Sequence, residues 1–216
     1  MLRRLLAPLV ALALLPVVLH GTSQAGTGPR ALFFGDSLIA GVGTQPRRPV
    51  QVTDVARRLG WRPVIDAWPG TGWTTGGHKG RAYQWRLEHD SALRGHLDVV
   101  VLEGGTNDAF YGDLEQLTSK VAEGLALVRR LQPTARIVLV GGYVPPGRDN
   151  ARMAAMDELL AAAAAHEGVQ YVSQRPFREQ PASFLSHDRI HPSRAGYRLM
   201  AGDLAKALSA GALRAQ

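Results

Sequence analysis

Residues 30–43 read RALFFGDSLIAGVG, and the rest of the chain repeats the theme this stretch sets. Arg30–Gly35 is a short apolar run closed by glycine, the pattern of a buried strand. Asp36 and Ser37 follow at once, with Gly41 and Gly43 just beyond. A serine on a sharp turn at a strand end presents its hydroxyl, and its own N–H, to the space past the sheet. Taken alone, the same residues also suit an ordinary turn or helix cap.

Outward from there, strands and helices alternate. Val50–Leu59 has helical spacing, and Val64–Ala67 is a short strand. Arg81–Leu93 reads as a helix and the Val-rich Leu97–Glu103 as a buried strand. Leu114–Leu131 carries apolar residues at Leu114, Leu117, Val121, Leu125 and Val128, spaced as on one helix face, and Pro133 ends it. Arg136–Val140 is a fourth strand, closed by Gly141 and Gly142. Asn150–Ala165 is an Ala-rich helix with Asn150 as its cap, and its Ala161–Ala165 run suits tight helix packing. Val169–Val172 is a fifth strand, and Ser193 caps a closing helix to Leu208. This alternation predicts an α/β fold with a five-stranded parallel sheet and helices on both faces. Such sheets bind ligands beyond the carboxyl ends of their strands. Chemistry is therefore expected in Gly35–Gly43, Trp68–Gly80, Gly104–Asp113, Gly141–Asp149 and Ser173–Pro192.

Two more of these segments carry suitable groups. In Gly104-Gly105-Thr106-Asn107-Asp108, the Asn107 amide can point into the same mouth as Ser37, although Asn-Asp is also a common turn. In His187-Asp188-Arg189-Ile190-His191-Pro192, Asp188 can bond the Nδ1 side of His191 and leave Nε2 free to take a proton from a hydroxyl. A capping Asp beside a surface His is the plainer reading. A metal pair of His187 and His191 would need a third ligand at matching spacing, and His78, His89 and His96 offer none.

Composition narrows the function classes. The chain has 216 residues, 45% of them hydrophobic and 20% charged, an ordinary globular mixture long enough for one domain with a full core. Cys is absent, which excludes thiolate metal sites, Cys nucleophiles and disulfide staples. The net charge is +7, but its Arg residues are scattered and form no block, so a solvated basic surface is expected and no nucleic-acid partner. The N-terminus has Arg3 and Arg4, then an apolar run from Leu5 to Leu19 broken by Pro8 and Pro16, then Ser23-Gln24-Ala25. That pattern is a signal peptide, residues 1–25, cut after Ala25. The run is short for a membrane span, although an uncleaved N-terminal anchor is the alternative. Residues 26–216 would then be one exported domain, secreted or held in the cell envelope, with no stable membrane insertion.

Together, in this order and each after a strand, these motifs resemble the SGNH hydrolases, also called GDSL esterases and lipases. Gly35-Asp36-Ser37-Leu38 with Gly41 matches the first block of that family, Gly105-Thr106-Asn107-Asp108 the Gly-x-Asn-Asp block, and Asp188-x-x-His191 the last block. Asp66-Ala67-Trp68-Pro69-Gly70-Thr71-Gly72 is similar to the second block, with Asp66 near the place of its usual Asn. Gly70 is its matching glycine and Gly72 the alternative. The resemblance spans roughly Leu32 to Leu208. It implies a flavodoxin-like three-layer α/β/α sandwich, no cofactor and no metal. The Gly-x-Ser-x-Gly elbow of other hydrolases is absent from the sequence, as that family implies. Carried over, Ser37 is the nucleophile, His191 the general base and then acid, and Asp188 its orienting carboxylate. The Ser37 and Gly70 N–H groups and the Asn107 side chain form the oxyanion hole. Asp36 and Asp108 are structural carboxylates that bond backbone N–H groups.

The implied activity is ester hydrolysis through an acyl-enzyme by a monomer, on a small-molecule or polysaccharide ester. A carbohydrate O-acetylesterase and a thioesterase are the alternatives within the class. A non-catalytic envelope binding protein is the alternative outside it. Trp73, Tyr83, Trp85, Phe110, Tyr111, Phe177 and Phe184 are candidates to wall the site or to pack under loops. Arg175 and Arg178 could meet an anionic substrate or be plain surface cations. The glycines from Gly70 to Gly80 lack the Gly-x-x-x-x-Gly-Lys pattern of a phosphate loop. Incubation with EDTA should leave ester hydrolysis unchanged. Inactivation that a divalent metal reverses would restore the His187–His191 metal reading.

Overall fold

The computed structural model describes residues 27–212. The segment read as a signal peptide and the cut after Ala25 lie outside the described residues. Five strands form one sheet: β1 (Arg30–Gly35), β2 (Arg62–Ala67), β3 (Val99–Glu103), β4 (Arg136–Val140) and β5 (Gln170–Val172). All neighbours are parallel, in the order β2-β1-β3-β4-β5. The six helices are α1 (Val50–Leu59), α2 (Tyr83–His89), α3 (Thr106–Tyr111), α4 (Leu117–Leu131), α5 (Ala151–His166) and α6 (Arg194–Ala212). This is the flavodoxin-like order, and its switch point lies where β1 meets β3.

The period of two along the strands sorts the core into layers. Leu32 and Phe34 of β1, Val100 and Leu102 of β3, and Leu139 of β4 face α2, α4 and α5 through Leu87, Val121, Leu125 and Leu160. The alternate residues Ala31, Phe33, Val99, Val101 and Val138 face α1 and α6 through Val52, Val55, Leu204 and Leu208. In the Ala-rich α5, Ala163 and Ala164 are buried. No described helix is long and apolar enough to cross a membrane.

Local chemistry explains the element ends. Asn150 Oδ1 accepts from Met153 N at 3.1 Å and caps α5. Ser193 Oγ accepts from Gly196 N at 3.2 Å and caps α6. The helix expected over Arg81–Leu93 is in two pieces. Asp90 turns extended after α2 and its side chain accepts from Ala92 N, starting a separate 3₁₀ turn. The segment 104–113, expected as loop, contains α3. Its apolar content is too small to show helical periodicity, and tertiary contacts hold it instead.

One buried cation ties the sheet to the loop after β2. The side chain of Arg86 is wholly buried and pairs with Asp66 Oδ1 at 2.8 Å. It also donates to Gly35 O at 2.9 Å, Thr71 Oγ1 at 2.8 Å and Asp66 O at 3.1 Å. Its guanidinium lies 4.1 Å from the Phe34 ring centre. Arg86→Met should fill the space yet leave these acceptors without donors. The expected loss is about 3 kcal/mol, the lower end for breaking a buried pair because Asp66 keeps some solvent. Urea unfolding of the variant and the parent checks it.

Candidate active site

The carboxyl ends of β1, β2 and β3 bring three of the expected segments together. Ser37 leaves β1 through Gly35 and Asp36. A Cβ on Gly35 would stand 2.6 Å from Ile39 Cγ1 and 3.0 Å from the Glu103 backbone oxygen, so only glycine fits between this turn and β3. Asp36 Oδ1 accepts from Leu38 N at 2.9 Å and tightens the turn.

Ser37 Oγ and His191 Nε2 are 2.9 Å apart, and His191 Nδ1 is 2.8 Å from Asp188 Oδ2. The three form one hydrogen-bonded row, although Ser37 and His191 are 154 positions apart in sequence. The other oxygen of Asp188 accepts from Ser186 Oγ at 2.8 Å and from the N–H groups of Ile190 and His191, both at 2.9 Å. Burial alone would raise the Asp188 pKa. The Ile190 and His191 N–H groups, with the His191 ring and Ser186, outweigh it and hold the carboxyl well below its usual range. Asp188 is therefore ionised at any working pH, and its Oδ2 orients the His191 ring through Nδ1. The turn between them puts Arg189 at φ 57°, the one non-glycine residue with positive φ among those described. Gly43 backs this turn. A Cβ there would meet His191 Cβ at 2.9 Å and Pro192 O at 2.7 Å.

Opposite the His191 turn lies the loop after β2. Thr71, Trp73 and Thr74 of this loop are tied to α3. Asn107 Nδ2 donates to Thr71 O at 2.9 Å and to Asp36 Oδ2 at 2.8 Å. Asp108 accepts from Trp73 N at 3.1 Å, Thr74 N at 2.7 Å and Thr74 Oγ1 at 2.8 Å. Burial raises the Asp108 pKa, more than these N–H groups lower it. The same carboxylate fills the space of a Gly72 side chain, 2.4 Å from where its Cβ would be. Gly72 N–H is spent on Thr75 O at 2.8 Å. Among the described residues, the N–H groups of Ser37 and Gly70 have no hydrogen-bond partner. Of the two candidate glycines, Gly70 is thus the one with a free donor, and it has φ 80°, which suits glycine.

Two buried carboxyls stand behind Ser37. Burial pushes the Asp36 pKa up to about 6, against the opposing pull of the Leu38 N–H and His191. Glu103, at the end of β3, is pushed up well above its usual value by burial, and neither of its oxygens has a partner. Burial there favours its neutral form.

The remaining candidates separate. Trp73 and Tyr83 are core residues, and Tyr83 Oη donates to Glu103 O at 2.7 Å. Phe177 and Phe184 stack under the loops at 5.8 Å between ring centres, while Tyr111 is exposed. Arg175 and Arg178 both pair with Asp149, at 3.3 and 3.1 Å. Among the described residues, no group of three His, Cys, Asp or Glu side chains could hold a metal. Sequence reasoning missed Arg86, Thr71 and Ser186. For Arg86 a signal existed, since it shares the i, i+3, i+4 face of α2 with the buried Tyr83 and Leu87.

Comparison with known proteins agrees with this layout. Residues 33–199 match the model of the GDSL-like Lipase/Acylhydrolase family. The chain is 28% identical over 179 residues to the platelet-activating factor acetylhydrolase IB subunit alpha1 of Rattus norvegicus, covering 78% of this chain and 70% of that one. A family two carbohydrate esterase from Clostridium thermocellum, solved with cellohexaose, superposes with a TM-score of 0.68 at 23% identity, over 85% of this chain and 64% of that one. Est24, a carbohydrate acetylesterase from Sinorhizobium meliloti, gives a TM-score of 0.67 at 18% identity, over 84% of this chain and 99% of that one. With the match running from within β1 to the first turns of α6, the chain belongs to the GDSL-like lipase/acylhydrolase family of ester-bond hydrolases.

Proposed function

We propose that this protein is a secreted serine esterase that cleaves short-chain carboxylic esters through an acyl-enzyme. The observation that carries the reading is the row from Ser37 Oγ through His191 to Asp188 beside the two free N–H groups of Ser37 and Gly70. Ser37 Oγ attacks the ester carbonyl carbon while His191 Nε2 takes its proton. The carbonyl oxygen becomes an oxyanion, bonded by the Ser37 and Gly70 N–H groups and by Asn107. As the tetrahedral species collapses, the C–O bond to the alcohol breaks and His191 gives its proton to the leaving oxygen. Water then repeats the sequence against the acyl-enzyme, with His191 as base. It releases the acid and restores Ser37. Asp188 keeps Nδ1 protonated and stabilises the imidazolium in both halves. Export is supported by Arg3, Arg4 and the apolar run that follows, and places residues 26–216 outside the cytoplasm as one hydrolase domain.

Short acyl groups are supported by what surrounds Ser37. The segments after the strands mix glycine, arginine and aromatic residues rather than aliphatic runs. A long acyl chain gains about 0.8 kcal/mol per CH₂ only where it is covered. A second reading, carbohydrate O-acetylesterase, is favoured by the likeness to Est24 and to the C. thermocellum esterase. The rat relative's name also denotes removal of acetyl.

Ser37→Ala and His191→Ala should each remove nearly all ester hydrolysis and leave the circular dichroism spectrum unchanged. Asn107→Ala should lower kcat by about 10²–10³ with KM little moved, as loss of a transition-state donor does. Near-normal turnover in either of the first two variants would falsify the serine mechanism. Across p-nitrophenyl esters, kcat/KM should peak between acetyl and roughly hexanoyl, where burial beyond the first carbons ends. A maximum at dodecanoyl or longer would instead demand a covered acyl channel.

A further inference from the structure

Asn107 poses a donor problem. An amide nitrogen carries two hydrogens. In the resting structure, one faces Asp36 Oδ2 at 2.8 Å and the other Thr71 O at 2.9 Å. Neither is idle, so stabilising an oxyanion requires one of the two bonds to give way. The acceptors are unequal. Asp36 is buried, precedes Ser37 directly, and is fixed at its other oxygen by Leu38 N at 2.9 Å. Thr71 O is a neutral carbonyl in the residue next to Gly70, whose own N–H is free. A carboxylate holds an N–H more strongly than a carbonyl does. The bond that yields is therefore the one on the Gly70 side.

We propose that Asp36 is a positioning residue for ester cleavage: it locks one N–H of Asn107 so that the other turns from the Thr71 carbonyl to the developing oxyanion. The proposal rests on the serine-esterase reading above. No proton is transferred in this step. The Thr71 carbonyl shares its hydrogen with the oxyanion and takes it back when the tetrahedral species collapses.

The lock is strongest while Asp36 is a carboxylate: both of its oxygens already accept N–H groups, from Leu38 and Asn107, and a proton on either leaves a weaker acceptor. Burial is the main force for protonation, and the charge of Asp108 on α3 adds to it. Against these, the Leu38 N–H, His191 and Arg86 act for the carboxylate. Glu103 on β3 and the phenols of Tyr83 on α2 and Tyr197 on α6 all have raised pKa values. The balance leaves Asp36 titrating at about 6. Above that pH the lock is at full strength, and below it the lock is weakened.

The test is the steady-state kinetics of Asp36→Asn on p-nitrophenyl acetate, with Ser37→Ala as control. The expected result is a fall in kcat of about 10–10²-fold with KM within roughly threefold, since the loss is confined to the transition state. A kcat within roughly threefold of the parent, or a rise in KM alone, overturns the proposal. The pH profile supplies a second arm, read in whichever of Asp36→Asn and Asp36→Ser folds. Protonating Asp36 weakens the lock, so the ratio of parent to variant kcat should shrink as pH falls through about 6. A ratio that stays constant across that range overturns the proposal. Dead Ser37→Ala with an unaffected Asp36→Asn sinks this inference alone, whereas active Ser37→Ala sinks the esterase reading beneath it.

Discussion

The buried guanidinium of Arg86 is the constraint on which the site depends. Its donors reach the end of β1 at Gly35, the end of β2 at Asp66 and the Thr71 hydroxyl in the next loop. Those three points define where the turn bearing Ser37 stands relative to the loop bearing Gly70. A planar, permanently charged group with several fixed donors can bridge such separate acceptors, whereas an ammonium ion would reach fewer of them. Burying it is costly, and Asp66 together with the stacked Phe34 and Tyr83 rings offsets that cost. The cation also lies near enough to Asp36 to favour its ionised form.

Around this anchor, the two sides of the cleft are built differently. The His191 side is local. Asp188 takes its own N–H donors from Ile190 and His191, and Leu185 pairs with Pro192 to close the loop. A short turn thus carries a low-pKa carboxylate and an oriented imidazole together. The opposite side, with Ser37 and Asn107, is assembled from distant pieces. Asn107 and Asp108 on α3 grip the loop from Thr71 to Thr74, and Asp36 joins α3 back to the serine turn. Stability is spent here on preorganisation: three carboxyl groups, Asp36, Glu103 and Asp108, are buried with raised pKa values within a few residues of the cleft. Such unfavourable burial is tolerated where donors must be aimed before the reaction starts.

The proposed preference for short esters fits the economy of the fold. Each strand end contributes one modest loop, and the larger side chains in them are already used. Trp73 and Tyr83 pack into the core beneath the loop after β2, and Phe177 and Phe184 pack into the cluster with Tyr143 and Tyr197. These four buried rings are therefore not free to wall a long alkyl channel.

The sequence by itself determined the alternation of strands and helices, because apolar period and glycine punctuation are local signals. It also determined Ser37, Asn107, Asp188 and His191 as candidates, since the first two follow closely on strands and the last two lie in the segment between the fifth strand and the closing helix. Asp188 and His191 were the most legible pair, because three residues on one turn fix their distance. Only the tertiary structure shows which of Gly70 and Gly72 keeps an unbonded N–H, since that depends on which one Thr75 engages. It alone turned α3 into a helix, made Arg86 a buried clamp and set Asp36 against Asn107, 71 positions away. Hydrogen bonds of that span leave no periodicity in a sequence. They exist only once the parallel sheet has brought the ends of β1, β2 and β3 side by side.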